Sequence, residues 1–339
     1  MTGKIIVKLM LSNLMSSMGI HSLLERLCFS DKAFILMYHR ILTSGGKQPY
    51  FIQPGMFVTA ATFEKQIDFL KDRFEVVFFE DLVKKMLNGE DIGGFCAITF
   101  DDGWRDNYTD AFPILEKYRV PATIFLASGF VGTDRMFWPE EICYYLDRKK
   151  INKSACSDAP RSFICFVEEI SKCHRCKREM FFDRCIEILK GYSPNEREEI
   201  LEYFRGILMV EPFPRQMLSW DEAQEMSASG LVRFGAHTVN HEILDQVPLQ
   251  KAREEIFKSR AEIEHRLGCR VSTFAYPNGN HSESIRLVLA ENGFSAAVTT
   301  RKGFLGSGMP VMEVPRIAIH EDVSNTIPMF RSRILLRKF

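Results

Sequence analysis

Five short apolar runs in this chain each stop at a residue equipped for chemistry or at a turn, and that pattern limits the fold more than any other feature. Phe34–Tyr38 runs into His39, and Phe95–Phe100 into Asp101-Asp102-Gly103. Leu231–Ala236 runs into His237, Thr273–Tyr276 into Pro277-Asn278-Gly279, and Ile317–Ile319 into His320. Apolar runs of this length bounded by turn residues read as buried strands. Val76–Phe79, Ala122–Ala127 and Ala296–Thr299 read the same way, and helical spacing at Thr62–Leu70, Leu82–Leu87, Pro113–Tyr118, Ala252–Leu267 and Ser284–Asn292 falls between the runs. Such alternation predicts an α/β architecture. An open doubly wound sheet and a parallel barrel both collect ligands at strand ends. The barrel is preferred because the candidates are spread over most of the chain, from His39 to His320.

Neighbouring side chains on an extended segment point in opposite directions, so Asp101 and Asp102 cannot easily share one task. The economical division gives one carboxylate a metal and the other a proton. His237-Thr238-Val239-Asn240-His241 places two imidazoles at i and i+4, on one face of a helical turn and within reach of one ion. With Asp102 they make an Asp-His-His donor set, suited to zinc, iron, cobalt or manganese. Three protein ligands leave a position open for water, which is the catalytic arrangement. Alone, the aspartates would read as turn or N-cap residues and the histidines as surface residues. Their combination carries the metal reading.

Lys+Arg and Asp+Glu both number 44, so net charge offers no argument for a nucleic-acid partner. Nine scattered cysteines favour a reducing compartment, hence the cytoplasm, with the cell envelope or periplasm as the alternative. Residues 1–32 read as an amphipathic helical segment in which Lys4 and Lys8 precede an apolar stretch broken by Ser12, Asn13, Ser16 and Ser17. Residues 33–325 read as the barrel, and about 137–217, charged and helical in pattern, as an insertion into it. Within the insertion, Cys173-His174-Arg175-Cys176 has a zinc-like spacing but no second pair, so plain thiols are expected. Residues 326–339 form a basic amphipathic tail with Arg331, Arg333, Arg337 and Lys338, of the kind that makes a weak membrane-surface contact.

Thr99-Phe100-Asp101-Asp102-Gly103 together with His237–His241 resembles the first two motifs of the polysaccharide deacetylases, the carbohydrate esterases related to chitooligosaccharide deacetylase. The resemblance runs from about Ala33 to Glu321. It implies a distorted (β/α) barrel with a divalent metal, usually zinc, held by Asp102, His237 and His241. Asp101 would be the general base that takes a proton from the attacking water, and His320, in Ile319-His320, the general acid. In Phe274–Gly279 the third motif matches in part. Ala275 stands where many members carry an arginine that tethers the catalytic aspartate, and the amide of Asn278 falls where an oxyanion donor is expected. Tyr276 and His39 are expected to line the substrate site. Trp104 either offers its face to a sugar ring or packs beside the loop. Thr299-Thr300-Arg301 occupies the place of the fourth motif, without its aspartate. Orientation of Asp101 then falls to Arg316 or His39. The implied activity is hydrolysis of the acetamide of an N-acetylated sugar in a polysaccharide, oligosaccharide or glycan precursor. Two other readings use the same residues: hydrolysis of a cyclic amide C–N bond in a non-sugar substrate, and a glycan-binding barrel without turnover.

Overall fold

Successive side chains in each apolar run alternate between two faces, and in this chain both faces are apolar, as in a parallel sheet covered on each side. The computed structural model describes residues 3–43, 50–148, 158–173, 177–207, 215–336 and 339. Among them the strands are β1 (Phe34–Tyr38), β2 (Arg40–Leu42), β3 (Phe57–Thr59), β4 (Glu75–Val76), β5 (Phe95–Phe100), β6 (Ala122–Leu126), β7 (Val232–Ala236), β8 (Thr273–Ala275), β9 (Ala296–Val298) and β10 (Ile317–Ala318). The helices are α1 (Gly3–Ser17), α2 (Ile20–Cys28), α3 (Ala60–Arg73), α4 (Phe79–Leu87), α5 (Phe112–Tyr118), α6 (Trp138–Arg148) and α7 (Arg161–Ser171). They continue with α8 (Arg178–Lys190), α9 (Pro194–Ile207), α10 (Trp220–Ala228), α11 (Leu249–Leu267), α12 (Glu283–Glu291), α13 (Glu321–Ser324) and α14 (Ile327–Leu335). Two compact units result, one of Met1–Ser44, Pro54–Thr133 and Gln216–Phe339, the other of Gly45–Gln53 and Asp134–Arg215.

The first unit is the α/β barrel. Its parallel strands run in the order β10-β1-β5-β6-β7-β8-β9, with β4 joined to β5 and β2–β3 as a separate pair. Val298 of β9 makes a parallel bridge to Val314, just ahead of β10, and β10 pairs with β1. The strand path therefore curls from β1 round to β9 and returns to β1. Phe34, Leu36 and Tyr38 of β1, with Ile98 and Phe100 of β5, belong to the larger core, which also takes in Phe63 of α3 and Ile256 of α11. The alternate residues Ile35, Ala97, Phe125, Ala275 and Val298 form a second core with Phe79, Leu82, Val83 and Met86 of α4. Continuing that alternation from Ala97 through Thr99 brings Asp101 to the same side of the sheet.

The N-terminal segment is two helices, divided at Gly19. In the C-terminal tail Arg331 is buried and ion-paired with Glu25 of α2 at 2.7 Å, and Arg333 donates to the Ala318 carbonyl at 2.9 Å. Both are engaged inside the fold, whereas Arg337 and Lys338 lie outside the described residues.

The second unit gathers α6–α9 around buried Ile142, Phe163, Phe166, Cys185, Leu201 and Phe204, with the rings of Tyr145 and Phe204 stacked at 5.7 Å. Cys173 follows the end of α7 in a turn, and His174–Cys176 lie outside the described residues.

Candidate metal centre and active site

The Asp101 N–H still donates to the Tyr38 carbonyl at 3.0 Å, extending the sheet ladder by one residue. Asp102 then takes a left-handed backbone with φ 78, and Gly103 follows at φ 85. A Cβ on Gly103 would lie 2.7 Å from Leu126 Cδ2, so the turn requires glycine on both steric and backbone grounds. This reversal sends the Asp101 and Asp102 side chains to different partners.

β7 delivers the histidines. The sequence expectation of a helical turn across His237–His241 is not met: the segment is an irregular loop with Thr238 at φ 64 and His241 at φ 57. Left-handed steps at non-glycine residues are costly and gather at functional sites. Here the buried Glu255 of α11 holds the loop, accepting the N–H groups of Val239 at 2.9 Å and Asn240 at 2.8 Å and the Asn240 side-chain amide at 2.9 Å. The turn brings the two imidazole centroids to 4.9 Å, inclined at 65°.

Asp102 Oδ1 lies 3.4 Å from His237 Nε2 and 3.5 Å from His241 Nε2. One ligand atom from each of the three residues falls within 4.8 Å of the others. Tetrahedral ligands on bonds of about 2.1 Å stand about 3.4 Å apart, so the spacing fits a divalent ion. The donor chemistry fits as well. His237 Nδ1 is 2.7 Å from the Ala275 carbonyl, which can only accept, so Nδ1 carries a proton and Nε2, facing Asp102, is the nitrogen that would ligate an ion. Trp104 Nε1 donates to Asp102 Oδ2 at 2.8 Å, leaving Oδ1 for the ion.

That bond, with the burial of the ring, decides between the two expectations for Trp104 in favour of packing beside the loop. Trp104 is fully buried, with Arg40 over its ring at 4.3 Å and Arg40 in turn held by Asp106 at 2.8 Å. An enclosed indole offers no face to a sugar. It fixes a ligand instead.

Asp101 is tethered by Arg316 through two hydrogen bonds, 2.7 Å to Oδ1 and 2.6 Å to Oδ2. Arg316 is itself fully buried and further held by the Thr299 carbonyl at 3.0 Å and Thr99 Oγ1 at 3.1 Å. An arginine just ahead of β10 thus orients Asp101. Burial works against charge on Asp101, but the Arg316 guanidinium outweighs it and holds the carboxyl below the usual carboxylate range. Asp102 is likewise held low against burial by His237 and His241. Burial pushes His241 down to about 4, so its ring is neutral and ready to ligate. His237 goes the other way: burial opposes its charge, but the Asp102 hydrogen bond prevails and raises it. His39 directly follows Tyr38, whose carbonyl receives the Asp101 N–H, and its own carbonyl accepts the Asn107 side-chain amide at 2.8 Å.

Tyr276 does not line a substrate surface. Its side chain is fully buried, its hydroxyl donates to the Met312 carbonyl at 2.9 Å, and its ring stacks on His281 at 5.0 Å. Asn278 is exposed at φ 58 in the turn after β8, with its side-chain amide donating to Asn280 Oδ1 at 2.8 Å. His320 stands past the end of β10, beside β1, and its Nδ1 is paired with Asp322. Its described hydrogen-bond and ion-pair partners do not include Asp101, Asp102, His237 or His241.

By fold and donor set the molecule is an α/β barrel with an Asp-His-His set at its strand ends that could hold a metal ion. The polysaccharide deacetylase family model matches residues 88–297, and the chain belongs to that family. It is 30% identical over 115 residues to the poly-beta-1,6-N-acetyl-D-glucosamine N-deacetylase of Staphylococcus epidermidis, a match covering 30% of this chain and 38% of that protein. The Staphylococcus aureus enzyme of the same name is 32% identical over 115 residues, covering 31% and 39%. The match thus spans well under half the length of these relatives. Among solved structures, the deacetylase PplD of Streptococcus pyogenes in complex with acetate has a TM-score of 0.57 at 20% identity, covering 87% of this chain and 95% of that one. IcaB from Ammonifex degensii has a TM-score of 0.55 at 22% identity, covering 89% and 97%. Both share the fold.

Proposed function

We propose that this protein is a metal-dependent deacetylase that hydrolyses the acetamide of an N-acetylated sugar within a glycan. The observation that carries the reading is the pairing of two differently equipped carboxylates: Asp102 converging with His237 and His241, and Asp101 held ionised beside it by Arg316. The likeness to N-deacetylases of poly-beta-1,6-N-acetyl-D-glucosamine favours an N-acetylglucosamine polymer as the substrate. Zinc is the proposed ion, since it accepts a tetrahedral set of one carboxylate and two imidazoles.

When bound, a divalent ion would make water a nucleophile near neutral pH and polarise the acyl oxygen. The remaining work falls to the chain's own groups. Asp101, fixed by two hydrogen bonds, accepts the proton of the attacking water, and it is ionised at neutral pH because Arg316 lowers its proton affinity. His320, oriented by Asp322, delivers a proton to the departing amine as the C–N bond breaks. Asn278 at the exposed turn and His39 at the end of β1 are the proposed contacts to the acetyl oxygen and the sugar.

Acetate release from N-acetylglucosamine oligomers, followed with metal content, tests the proposal. Asp101→Asn should lower turnover by about a thousandfold while the metal stays bound, since removing a general base costs on that order. Undiminished acetate release by that variant would remove Asp101 from the mechanism.

A further inference from the structure

α1 turns a stripe of apolar side chains to solvent. Its outward side carries Ile6, Val7, Met10, Leu11 and Leu14, with Met18 just past its end, and the last five of these are each more than half exposed. Those positions recur at the spacing of one helix face. The same helix buries a polar residue, Ser12, whose hydroxyl donates to the Lys8 carbonyl at 2.8 Å, and places the Lys8 ammonium 5.0 Å over the Phe339 ring. A helix docked on a water-soluble protein normally has the opposite arrangement. α2 repeats it: Leu23 and Leu27, four residues apart, are each more than half exposed, while His21 is buried with Nε2 2.8 Å from Ser332 Oγ. The Arg331–Glu25 ion pair at 2.7 Å secures α2 from its inner side. The fold thus holds α2 through these polar contacts and through Cys28, which packs against the core, and leaves a set of apolar side chains of both helices in solvent.

Charge distinguishes the partner. From Met1 to Leu24 the chain has Lys4 and Lys8 and no acidic residue; Glu25 is neutralised by Arg331, and Arg26 is exposed. An apolar stripe in a segment of net positive charge matches an anionic lipid surface, whereas a second copy would bring like charges together. Among the described residues no helix is long and apolar enough to cross a membrane, and the exposed apolar residues of α1 lie on one side. That is the geometry of a helix lying in the plane of the interface. We propose that the outward faces of α1 and α2 form a membrane-docking surface that seats the protein on an anionic bilayer. The contact is reversible and weakened by salt.

Co-sedimentation of the intact chain with vesicles tests this directly. The protein should pellet with vesicles containing phosphatidylglycerol, less with pure phosphatidylcholine, and less again at high salt. The double variant Met10→Glu/Leu14→Glu should lower the bound fraction about tenfold, since charges on the apolar face oppose burial among lipid chains, with its circular dichroism unchanged. If that variant loses its helical spectrum, Leu23→Glu on α2 carries the same test. Protein that stays in the supernatant with both vesicle types overturns the proposal. So does a dimer, seen by light scattering, that the double variant converts to monomer, because the face would then be an interface between copies.

Discussion

Trp104 shows how a single buried side chain sets the chemistry of another. Its indole N–H occupies Asp102 Oδ2 and directs Oδ1 to the two imidazoles. Trp104→Phe keeps much of the packing and removes the donor. Outer partners of this kind are worth about 10–100-fold in metal affinity, so titration of metal into chelator-stripped protein should show a loss in that range with the thermal midpoint little changed. Equal affinity in the two proteins would contradict the assignment. Asp102, His237 and His241 are legible in the sequence because metal ligation demands particular donor types, and few residues supply them. Trp104 is not, since nothing in a sequence says which way a buried indole points. Ala275 is harder still: its contribution to His237 is a backbone carbonyl, which every residue carries. Arg316 is legible only as one of two candidates, and its choice over His39 depends on the return of β10 to β1.

The loop from His237 to His241 is the element on which the donor set depends, and Glu255 of α11 is its support. Burial works against the Glu255 charge, but hydrogen bonds from Asn240 and contact with Lys251 outweigh it and hold the carboxyl below its ordinary range. A group with a depressed folded pKa stabilises fully above its unfolded value, near 4.3 for glutamate, and loses that contribution as pH falls through the folded value. Hydrogen-exchange protection at Val239 and Asn240 should therefore hold at neutral pH and fall once the solution drops below about pH 4. Glu255→Gln should weaken that protection already at neutral pH, by about 1.5–3 kcal/mol for the loss of charged acceptors. Protection indifferent to this substitution would show that the loop is held by something else. Strands and long helices are legible because their periodicity is sustained, as Phe95–Phe100 and Leu249–Leu267 are. β2 and β3, of three residues each, are too short for a pattern. The i, i+4 histidine spacing points to a helix only while backbone torsions stay right-handed, and Thr238 and His241 do not.

At the scale of the molecule the barrel wall leaves little room at the site's base. Gly235 pairs with Phe125 across β7 and β6, and a Cβ there would lie 2.5 Å from the Phe125 ring and 2.8 Å from Thr273 Oγ1. Gly235→Ala should cost about 1–3 kcal/mol by overpacking, measured as a lower denaturation midpoint; an unchanged midpoint would mean that the wall yields freely. The barrel itself is legible from run-ends that carry reactive groups, because parallel strands bring all their C-terminal ends to one side. The packing of α6–α9 is not, since amphipathic helices state that they have a buried face without stating against which neighbour. The account rests most heavily on Asp102, His237 and His241 holding one ion. Anomalous diffraction from crystals of the metal-loaded protein, collected above the ion's absorption edge, measures that directly. The predicted result is a single peak about 2.0–2.2 Å from Asp102 Oδ1, His237 Nε2 and His241 Nε2, as these donors bind zinc. A peak coordinated elsewhere, or no peak at these residues in crystals of protein that releases acetate, would contradict it.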